Sequence, residues 1–223
     1  MKAPRDADGF IRANTRLLSP PLVPEIVLHL AEESLLIWTK TEEELDEIGL
    51  PPPFWAFAWA GGQALARYLL DNPRIARARN VLALGSGSGL EAIAAMKAGA
   101  ASALAADIDP FAETAARLNA KANGVCLDTT TADLLGAPPD ARCDLIVVGD
   151  LFYERPLADR VMAFIDAAHG NGTDVLVGDP QRSYFPRQRF EQAAAYVVPV
   201  TRELEDAEIK RSAVWRLSNR QSG

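Results

Sequence analysis

Residues 81 to 89 are Val81-Leu82-Ala83-Leu84-Gly85-Ser86-Gly87-Ser88-Gly89, a short apolar run that leads directly into three alternating glycines. Four consecutive apolar residues that end at a glycine are typical of a strand buried on both faces of a parallel sheet. Because glycine has no Cβ, the backbone N–H groups of such a turn can approach a ligand closely. The stretch therefore predicts an α/β fold with a ligand site after this strand; a tight turn without a ligand is the alternative.

After the glycine loop, apolar runs alternate with helical patterns. The runs predict strands at 102–106, 125–129, 143–148 and 173–177, and helices at 90–98, 111–123, 157–168 and 188–195. Two β-rich runs, 196–202 and 212–218, then follow with no helix between them. Strand–helix alternation predicts a parallel sheet with helices on both faces, and the terminal pair predicts an antiparallel edge. This order resembles the Rossmann-like, seven-stranded class I methyltransferase sheet.

The first 70 residues are less regular. A helix is predicted at 22–33 and a strand at 34–38, and the prolines at 51–53 break the chain before an aromatic loop and helix at 54–70. The acidic run at 42–47 is either a solvated helix face or a docking patch for basic partners. We expect one domain over 1–223, in which 1–70 covers the site and 80–223 forms the Rossmann-like core.

Composition argues against several classes of protein. None of the apolar runs approaches the ~20 residues that span a bilayer, and the N-terminus lacks the apolar segment of a secretory signal, so a cytoplasmic protein is expected. A net charge of −7 argues against nucleic-acid binding. Cys126 and Cys143 are predicted to be buried free thiols within strands, and two histidines are too few for a zinc cluster, so no metal is expected. A monomer is expected.

The residues after the second and third predicted strands favour one cofactor. Asp107 lies about 20 residues beyond the loop, where a carboxylate can accept both ribose hydroxyls; it could instead cap the next helix, although Asp109 is better placed for that. Asp133 occupies the usual place of an adenine-binding residue or is a surface-turn aspartate. The loop lacks the last glycine of the dinucleotide fingerprint, since Glu91 and Ala92 follow Leu90. S-adenosylmethionine is therefore favoured over NAD.

One position departs from the pattern of such loops. Many of them carry an acidic residue two positions before the first glycine, and here that residue is Ala83. Contact to the methionine amino group is then left to backbone carbonyls or to Trp59. The departure bears on cofactor affinity and not on the fold.

The fourth predicted strand ends in Gly149-Asp150-Leu151-Phe152-Tyr153-Glu154. This is the carboxyl edge of the sheet, where acceptor-binding residues of open α/β folds lie. The segment lacks the Asn-Pro-Pro-aromatic motif that indicates methylation of a planar amide or base nitrogen. Asp150 can attract an ammonium group, and Tyr153 offers an aromatic wall for a lysine stem. Phe152 and Tyr153 could instead simply pack beneath the following helix.

Neutralising a lysine of pKa near 10.4 at pH 7 costs about 4 to 5 kcal/mol. Desolvation and a neighbouring sulfonium lower that cost. Asp150, or a water that it orients, can receive the proton, after which transfer needs mainly positioning.

The block before the core is more specific than the glycine loop. It reads Pro52-Pro53-Phe54-Trp55-Ala56-Phe57-Ala58-Trp59-Ala60-Gly61-Gly62-Gln63-Ala64-Leu65-Ala66-Arg67-Tyr68-Leu69-Leu70-Asp71-Asn72-Pro73 and resembles the signature of the electron transfer flavoprotein β-subunit lysine methyltransferases. Further matches are Leu84-Gly85-Ser86-Gly87, Asp107-Ile108-Asp109-Pro110, Gly149-Asp150-Leu151-Phe152-Tyr153 and Gly178-Asp179-Pro180-Gln181-Arg182. The resemblance extends from about residue 50 to Trp215, and the many alanines and arginines favour a bacterial member.

The resemblance implies methyl transfer from S-adenosylmethionine to lysines of a protein partner, the electron transfer flavoprotein β subunit or another such as the ribosomal stalk protein. Asp150 and Tyr153 are the expected catalytic residues. The expected cofactor-binding residues are Trp59, Gly61, Gly85, Ser86, Gly87, Gly89, Asp107, Ile108, Asp133, Leu134 and Gly149. The expected substrate-binding residues are Trp55, Phe152, Glu154, Asp179 and Arg182. Glu154 stands where the family usually has aspartate and keeps its charge.

Alternatives remain for the function and for single residues. A small-molecule N-methyltransferase acting on a nicotinamide-like or amine acceptor fits the same residues, and so does a non-catalytic Rossmann-like binding module. Trp55, Phe57 and Trp59 could pack a loop onto the core. Asp179 and Arg182 could form a structural salt bridge.

Overall fold

The computed structural model describes residues 6–31, 52–199 and 209–218. Its helices are α1 (Ala7–Ala13), α2 (Ala60–Asp71), α3 (Leu90–Lys97), α4 (Pro110–Ala122) and α5 (Arg155–Gly170). Its strands are β1 (Arg16–Leu18), β2 (Leu28–Leu30), β3 (Asn80–Leu84), β4 (Ser102–Ala106), β5 (Asp128–Thr130), β6 (Leu145–Gly149), β7 (Asp174–Asp179), β8 (Phe190–Pro199) and β9 (Ile209–Leu217). The described helices include none that is long and apolar enough to cross a membrane.

The main sheet has seven strands in the order β5-β4-β3-β6-β7-β9-β8. The pairs from β5 to β7 are parallel, whereas β9 runs antiparallel to both β7 and β8. The predicted seven-stranded sheet with an antiparallel C-terminal pair is therefore confirmed. Strand β3 pairs with β4 on one side and β6 on the other, so the chain reverses direction across the sheet there. The carboxyl end of β3 is thus the topological switch point, the usual ligand crevice of open α/β sheets.

Helices cover both faces of this sheet because the central strands are apolar on both. In β6, Leu145 and Val147 face the cluster formed with α2 and α3, while Ile146 and Val148 face the cluster formed with α5. These strand residues are all fully buried or nearly so, and burying such a side chain stabilises the fold by about 1.5 to 3 kcal/mol. The apolar run that predicted this strand reflects burial on both faces.

The N-terminal segment forms a small antiparallel pair, β1 with β2, beside the main sheet. Asn119 of α4 and Asn123, which caps the C-terminus of that helix, hold the pair in place. Asn119 Oδ1 accepts from His29 N at 2.7 Å, and Asn123 Oδ1 accepts from Val27 N at 3.1 Å. These two side chains therefore satisfy one backbone N–H within β2 and one directly before it.

Some local predictions were wrong. The predicted helix at 188–195 is instead the end of a 3-10 turn (Arg187–Arg189) and the start of β8, because pairing with β9 and burial of Phe190 outweigh the helical propensity of the alanines. The predicted helix at 22–33 is also wrong over its described part: the chain makes turns on either side of Val23 and then forms β2, while 32–33 lie outside the described residues. The predictions at 34–38 and 42–47 lie outside the described residues.

The prediction that both cysteines are free thiols is confirmed, but the prediction that they are buried within strands is wrong. Both thiols are free. Cys126 is exposed, because β5 begins three residues later than predicted, at Asp128. Cys143 is partly buried and precedes β6.

Helix α2 lies unusually close to the end of β7, because glycines meet at the contact. A Cβ added at Gly61 would overlap the carbonyl oxygen of Gly178, and a Cβ added at Gly178 would overlap that of Gly61. Both neighbours are backbone atoms, so neither can move aside without moving its whole element. The approach brings the N-terminus of α2 to the carboxyl edge of the sheet.

We expect Gly178→Ala to lower the free energy of unfolding by about 2 kcal/mol or more, because the added methyl group separates α2 from β7. Gly170→Ala is the matched control, since a Cβ there meets nothing within 4 Å in a helix where alanine is favoured. Urea unfolding of both variants measures the difference, and equal stability of the two would show that the close contact is not required.

Candidate active site

The glycine loop lies between β3 and α3 and is tied to the end of β4. Gly85, Gly87 and Gly89 adopt φ of 62°, 48° and 81°, the left-handed region that favours glycine. Gly87 N–H donates to Oδ2 of Asp107 at 2.9 Å, and Asp109 N–H donates to its Oδ1 at 3.0 Å. Asp107 thus orders the loop.

Asp109 is the helix cap, as the sequence favoured. Its carboxylate accepts from Phe111 N at 2.8 Å at the start of α4, with Pro110 in the first helical position. Asp107 is therefore not needed as the cap, and burial raises its pKa. Ile108, between the two, has 71% of its surface exposed, so an apolar side chain faces solvent beside the loop.

Asp150 connects three elements at the carboxyl edge of the sheet. Its Oδ2 accepts from the N–H of Gly62, in the first turn of α2, at 2.9 Å. Its Oδ1 accepts from Arg182 Nε at 2.9 Å and Nη2 at 2.6 Å, and Arg182 lies just beyond β7. The backbone at Asp150 has φ of 59°, and its N–H donates to Gly178 O at 3.0 Å. This buried carboxylate is therefore held rigidly where β6, α2 and β7 meet.

The proposed Asp179–Arg182 salt bridge takes a different form. The guanidinium of Arg182 pairs with Asp150, whereas Asp179 Oδ1 accepts from the backbone N–H of Arg182 at 2.6 Å. Asp179 is fully buried, and its Oδ2 has no hydrogen-bond partner in the described part of the chain. Burial, with the nearby charge of Asp150, raises the pKa of Asp179 to about 7.

An aromatic cluster lies beside Asp150, formed by Phe54, Trp59 and Tyr153. The ring of Phe54 is 6.0 Å from that of Trp59 and 6.1 Å from that of Tyr153. Phe54 and Tyr153 are 47% and 41% exposed, and the guanidinium of Arg182 lies 5.5 Å from the Trp59 ring. The cluster presents aromatic surface to solvent next to a buried carboxylate.

Trp55 and Phe152, two predicted substrate-binding residues, lie in the core. Trp55 is stacked on Phe111 at 6.0 Å, and Phe152 packs edge-on against Phe185 at 5.4 Å. Both side chains are almost completely buried. Both rings therefore pack as the packing alternative described, and substrate binding by either stays a prediction.

The remaining predicted residues lie around this edge. Asp133 follows β5, two strands from β3; its carboxylate accepts from Leu135 N–H at 3.1 Å and pairs with Arg160 at 2.6 Å. Adenine binding by Asp133 and by its neighbour Leu134 stays a prediction. Glu154 is exposed at the start of α5. Gly149 ends β6 beside Asp150.

Two residues of the site were not assigned a role from the sequence. Phe54 belongs to the aromatic block, but the sequence-based interpretation of that block concerned only the rings at 55, 57 and 59. Glu91 lies in α3 with 7% of its surface exposed, and burial raises its pKa to about 8. A charged residue between the apolar residues Leu90 and Ala92, in the first turn of the helix, was the available signal.

Metal ligands do not cluster at this site. The described residues include no group of three or more histidine, cysteine, aspartate or glutamate side chains that could hold an ion.

Breaking the Asp150–Arg182 pair should be costly. The two side chains are 8% and 17% exposed, so Arg182→Gln leaves a buried carboxylate without its cation and should lower the free energy of unfolding by about 3 kcal/mol. Arg189→Gln is the matched control, because Arg189 and Asp166 pair at 46% and 44% exposure and should contribute under about 1 kcal/mol. Similar losses of unfolding free energy in denaturant titrations of the two variants would show that the buried pair contributes no more to stability than the exposed one.

The raised pKa of Asp179 predicts a pH dependence of stability. The pKa is about 7 in the folded chain and about 3.9 in the unfolded chain, so the wild type loses stability as pH rises from about 4 to about 7. Asp179→Asn cannot ionise and keeps its Oδ1 acceptor for Arg182 N–H. Its unfolding free energy relative to the wild type should therefore increase between pH 5 and pH 8. A difference that is the same at both pH values would contradict the raised pKa.

Residues 63–167 match the family model of ribosomal protein L11 methyltransferase (PrmA). The electron transfer flavoprotein beta subunit lysine methyltransferase of Danio rerio is 39% identical over 218 residues, which cover 95% of this chain and 83% of that protein. The Mus musculus protein of the same name is 40% identical over 93% of this chain and 82% of its own length.

Among solved structures, magnesium protoporphyrin IX methyltransferase from Synechocystis, which contains bound S-adenosylmethionine, has the same fold. Its TM-score is 0.52 at 18% identity, covering 71% of this chain and 80% of that one.

Proposed function

The chain belongs to the electron transfer flavoprotein β-subunit lysine methyltransferase family, and on that premise we propose that it methylates lysine side chains of a folded protein with S-adenosylmethionine as donor. The electron transfer flavoprotein β subunit is the first substrate to test. The observation that carries the proposal is the buried carboxylate of Asp150 beside solvent-exposed aromatic rings at the carboxyl edge of the sheet.

The residues at the switch point fit S-adenosylmethionine. The cofactor supplies a methyl group on a sulfonium sulfur, which a neutral amine can accept. Asp107 would hold the ribose hydroxyls, since each of its oxygens accepts one backbone N–H here and has a further lone pair available. Exposed Ile108 offers apolar surface for the base. The carboxylates of Asp107 and Asp150 suit a cationic ligand.

The acceptor side matches the chemistry of lysine. An ammonium group is attracted by a nearby carboxylate, and its methylene stem can lie along aromatic rings. Asp150 provides the carboxylate, and Phe54, Trp59 and Tyr153 provide the rings. Because Arg182 and the Gly62 N–H hold both oxygens of Asp150, its orientation does not have to be set by the substrate.

The solvent exposure of the aromatic rings beside Asp150 favours a protein substrate over a small amine. Pockets for small molecules usually bury most of the ligand surface. Here two of the three rings beside Asp150 are more than 40% exposed, so a side chain projecting from a larger partner can reach them.

The direct test incubates the chain with S-adenosylmethionine and purified electron transfer flavoprotein β subunit, followed by intact-mass and peptide mass spectrometry. We expect mass increments of whole methyl groups on lysine. The ribosomal stalk protein serves as a second substrate. Methylation confined to small amines, with neither protein modified, would overturn the lysine proposal in favour of the small-molecule alternative.

Asp150→Asn should reduce methyl transfer by about 100-fold or more, because the amide has no charge to attract the ammonium group and cannot take its proton. Binding of S-adenosylhomocysteine, measured by calorimetry, should change by less than about threefold. Unchanged turnover would remove Asp150 from the reaction, and loss of product binding would assign it to the cofactor site instead.

A further inference from the structure

Glu91 is a buried carboxyl group that the proposed mechanism does not yet use. It belongs to the first turn of α3, immediately after the glycine loop, and is 7% exposed. A Cβ added at Gly62 would lie 2.7 Å from its Oε1, and one added at Gly149 would overlap the same oxygen. The carboxyl group therefore lies between the N-terminus of α2 and the end of β6, next to Asp150.

The charges around Glu91 are mostly of its own sign. Asp107, at the end of β4, and Asp150, at the end of β6, are both close enough to raise its pKa, and Asp179 adds a further carboxyl group beyond Asp150. Arg182 pairs with Asp150. In the described part of the chain, neither an ion pair nor a hydrogen bond from another residue reaches the Glu91 carboxyl group; its own backbone N–H is the donor to it. A buried acid of this kind is unfavourable unless a cation binds it.

The Glu91 carboxyl group lies on the same face of the sheet as Ala83. Ala83 pairs with Val147, and both face the α2–α3 side of the sheet, as does Gly149 two residues further along β6. An acidic side chain at position 83 would therefore extend over the same face that the Glu91 carboxyl group occupies. Glu91 also lies between Asp107, proposed for the ribose, and Asp150, proposed for the acceptor.

We propose that Glu91 binds the α-ammonium group of the S-adenosylmethionine methionine moiety, in place of the acidic residue that Ala83 lacks. The inference rests on the proposed function, since it assigns one more residue to the same cofactor. Asp107 then holds the ribose of the cofactor, and Glu91 holds its amino-acid end. The backbone carbonyls and Trp59, considered for this role from the sequence, are then not required.

The test compares two ligands on two proteins by calorimetry. The ligands are S-adenosylhomocysteine and its deamino analogue, in which hydrogen replaces the α-ammonium group; the proteins are the wild type and Glu91→Gln. The wild type should prefer S-adenosylhomocysteine by about 10- to 100-fold, the range of a charge-assisted hydrogen bond. In Glu91→Gln that preference should fall to about threefold or less, because the cycle isolates the pair of groups.

A purely structural role for Glu91 predicts a different result, since both ligands would then weaken equally in Glu91→Gln and the preference would persist. That outcome, or an unchanged affinity for S-adenosylhomocysteine, overturns the inference while leaving the proposed function intact. Failure of the wild type to bind S-adenosylhomocysteine at all would overturn the proposed function, and this inference with it.

A measurement on the wild type alone keeps the inference testable if Glu91→Gln does not fold. With a pKa of about 8, Glu91 is about nine-tenths protonated at pH 7, so pairing with an ammonium group must release a proton. Calorimetry in buffers of different ionisation enthalpy should show proton release at pH 7 on binding of S-adenosylhomocysteine and less on binding of the deamino analogue. Equal proton release with the two ligands would refute the pairing.

Discussion

The carboxylate of Asp150 is the interaction on which the arrangement of the site depends. It accepts from the first turn of α2 on one oxygen and from Arg182 on the other, while its own backbone N–H donates to Gly178. These contacts fasten β6, α2 and the segment after β7 at one edge. The close glycine contact between α2 and β7 lets the helix terminus come near enough to donate. A change in any of these elements therefore moves the carboxylate that the acceptor lysine is proposed to meet.

The site also has an electrostatic character that follows from its position. Glu91, Asp107, Asp150 and Asp179 come from the ends of neighbouring elements, and burial raises the pKa of three of them, Glu91, Asp107 and Asp179. Clustered acids destabilise an unliganded protein, because each disfavours ionisation of the next. The same cluster favours a ligand with a sulfonium and an ammonium group, so binding and stability are expected to be opposed here, a common feature of functional sites.

Much of the fold could be predicted from the sequence, because burial on both faces leaves uninterrupted apolar runs such as residues 145–148. The cap at Asp109 was predictable from Pro110 directly after it. The segment at 188–195 was not, since its alanines favour a helix and only pairing with β9 makes it a strand. The Asp150–Arg182 pair could not be predicted either. The two residues are 32 positions apart, and the backbone is in the left-handed region at Asp150 and at Gln181, directly before Arg182. The burial of Glu91 depends on how α2 packs over α3, so it could not be predicted from the sequence either.

A crystal structure of the chain with S-adenosylhomocysteine would show whether the carboxyl edge at β3, β4 and β6 is the methyl-transfer site. We expect the ribose hydroxyls on Asp107, the α-ammonium group on Glu91 and the sulfur facing Asp150 and Tyr153. Ligand bound away from this edge, or bound with its sulfur turned from Asp150, would contradict this expectation.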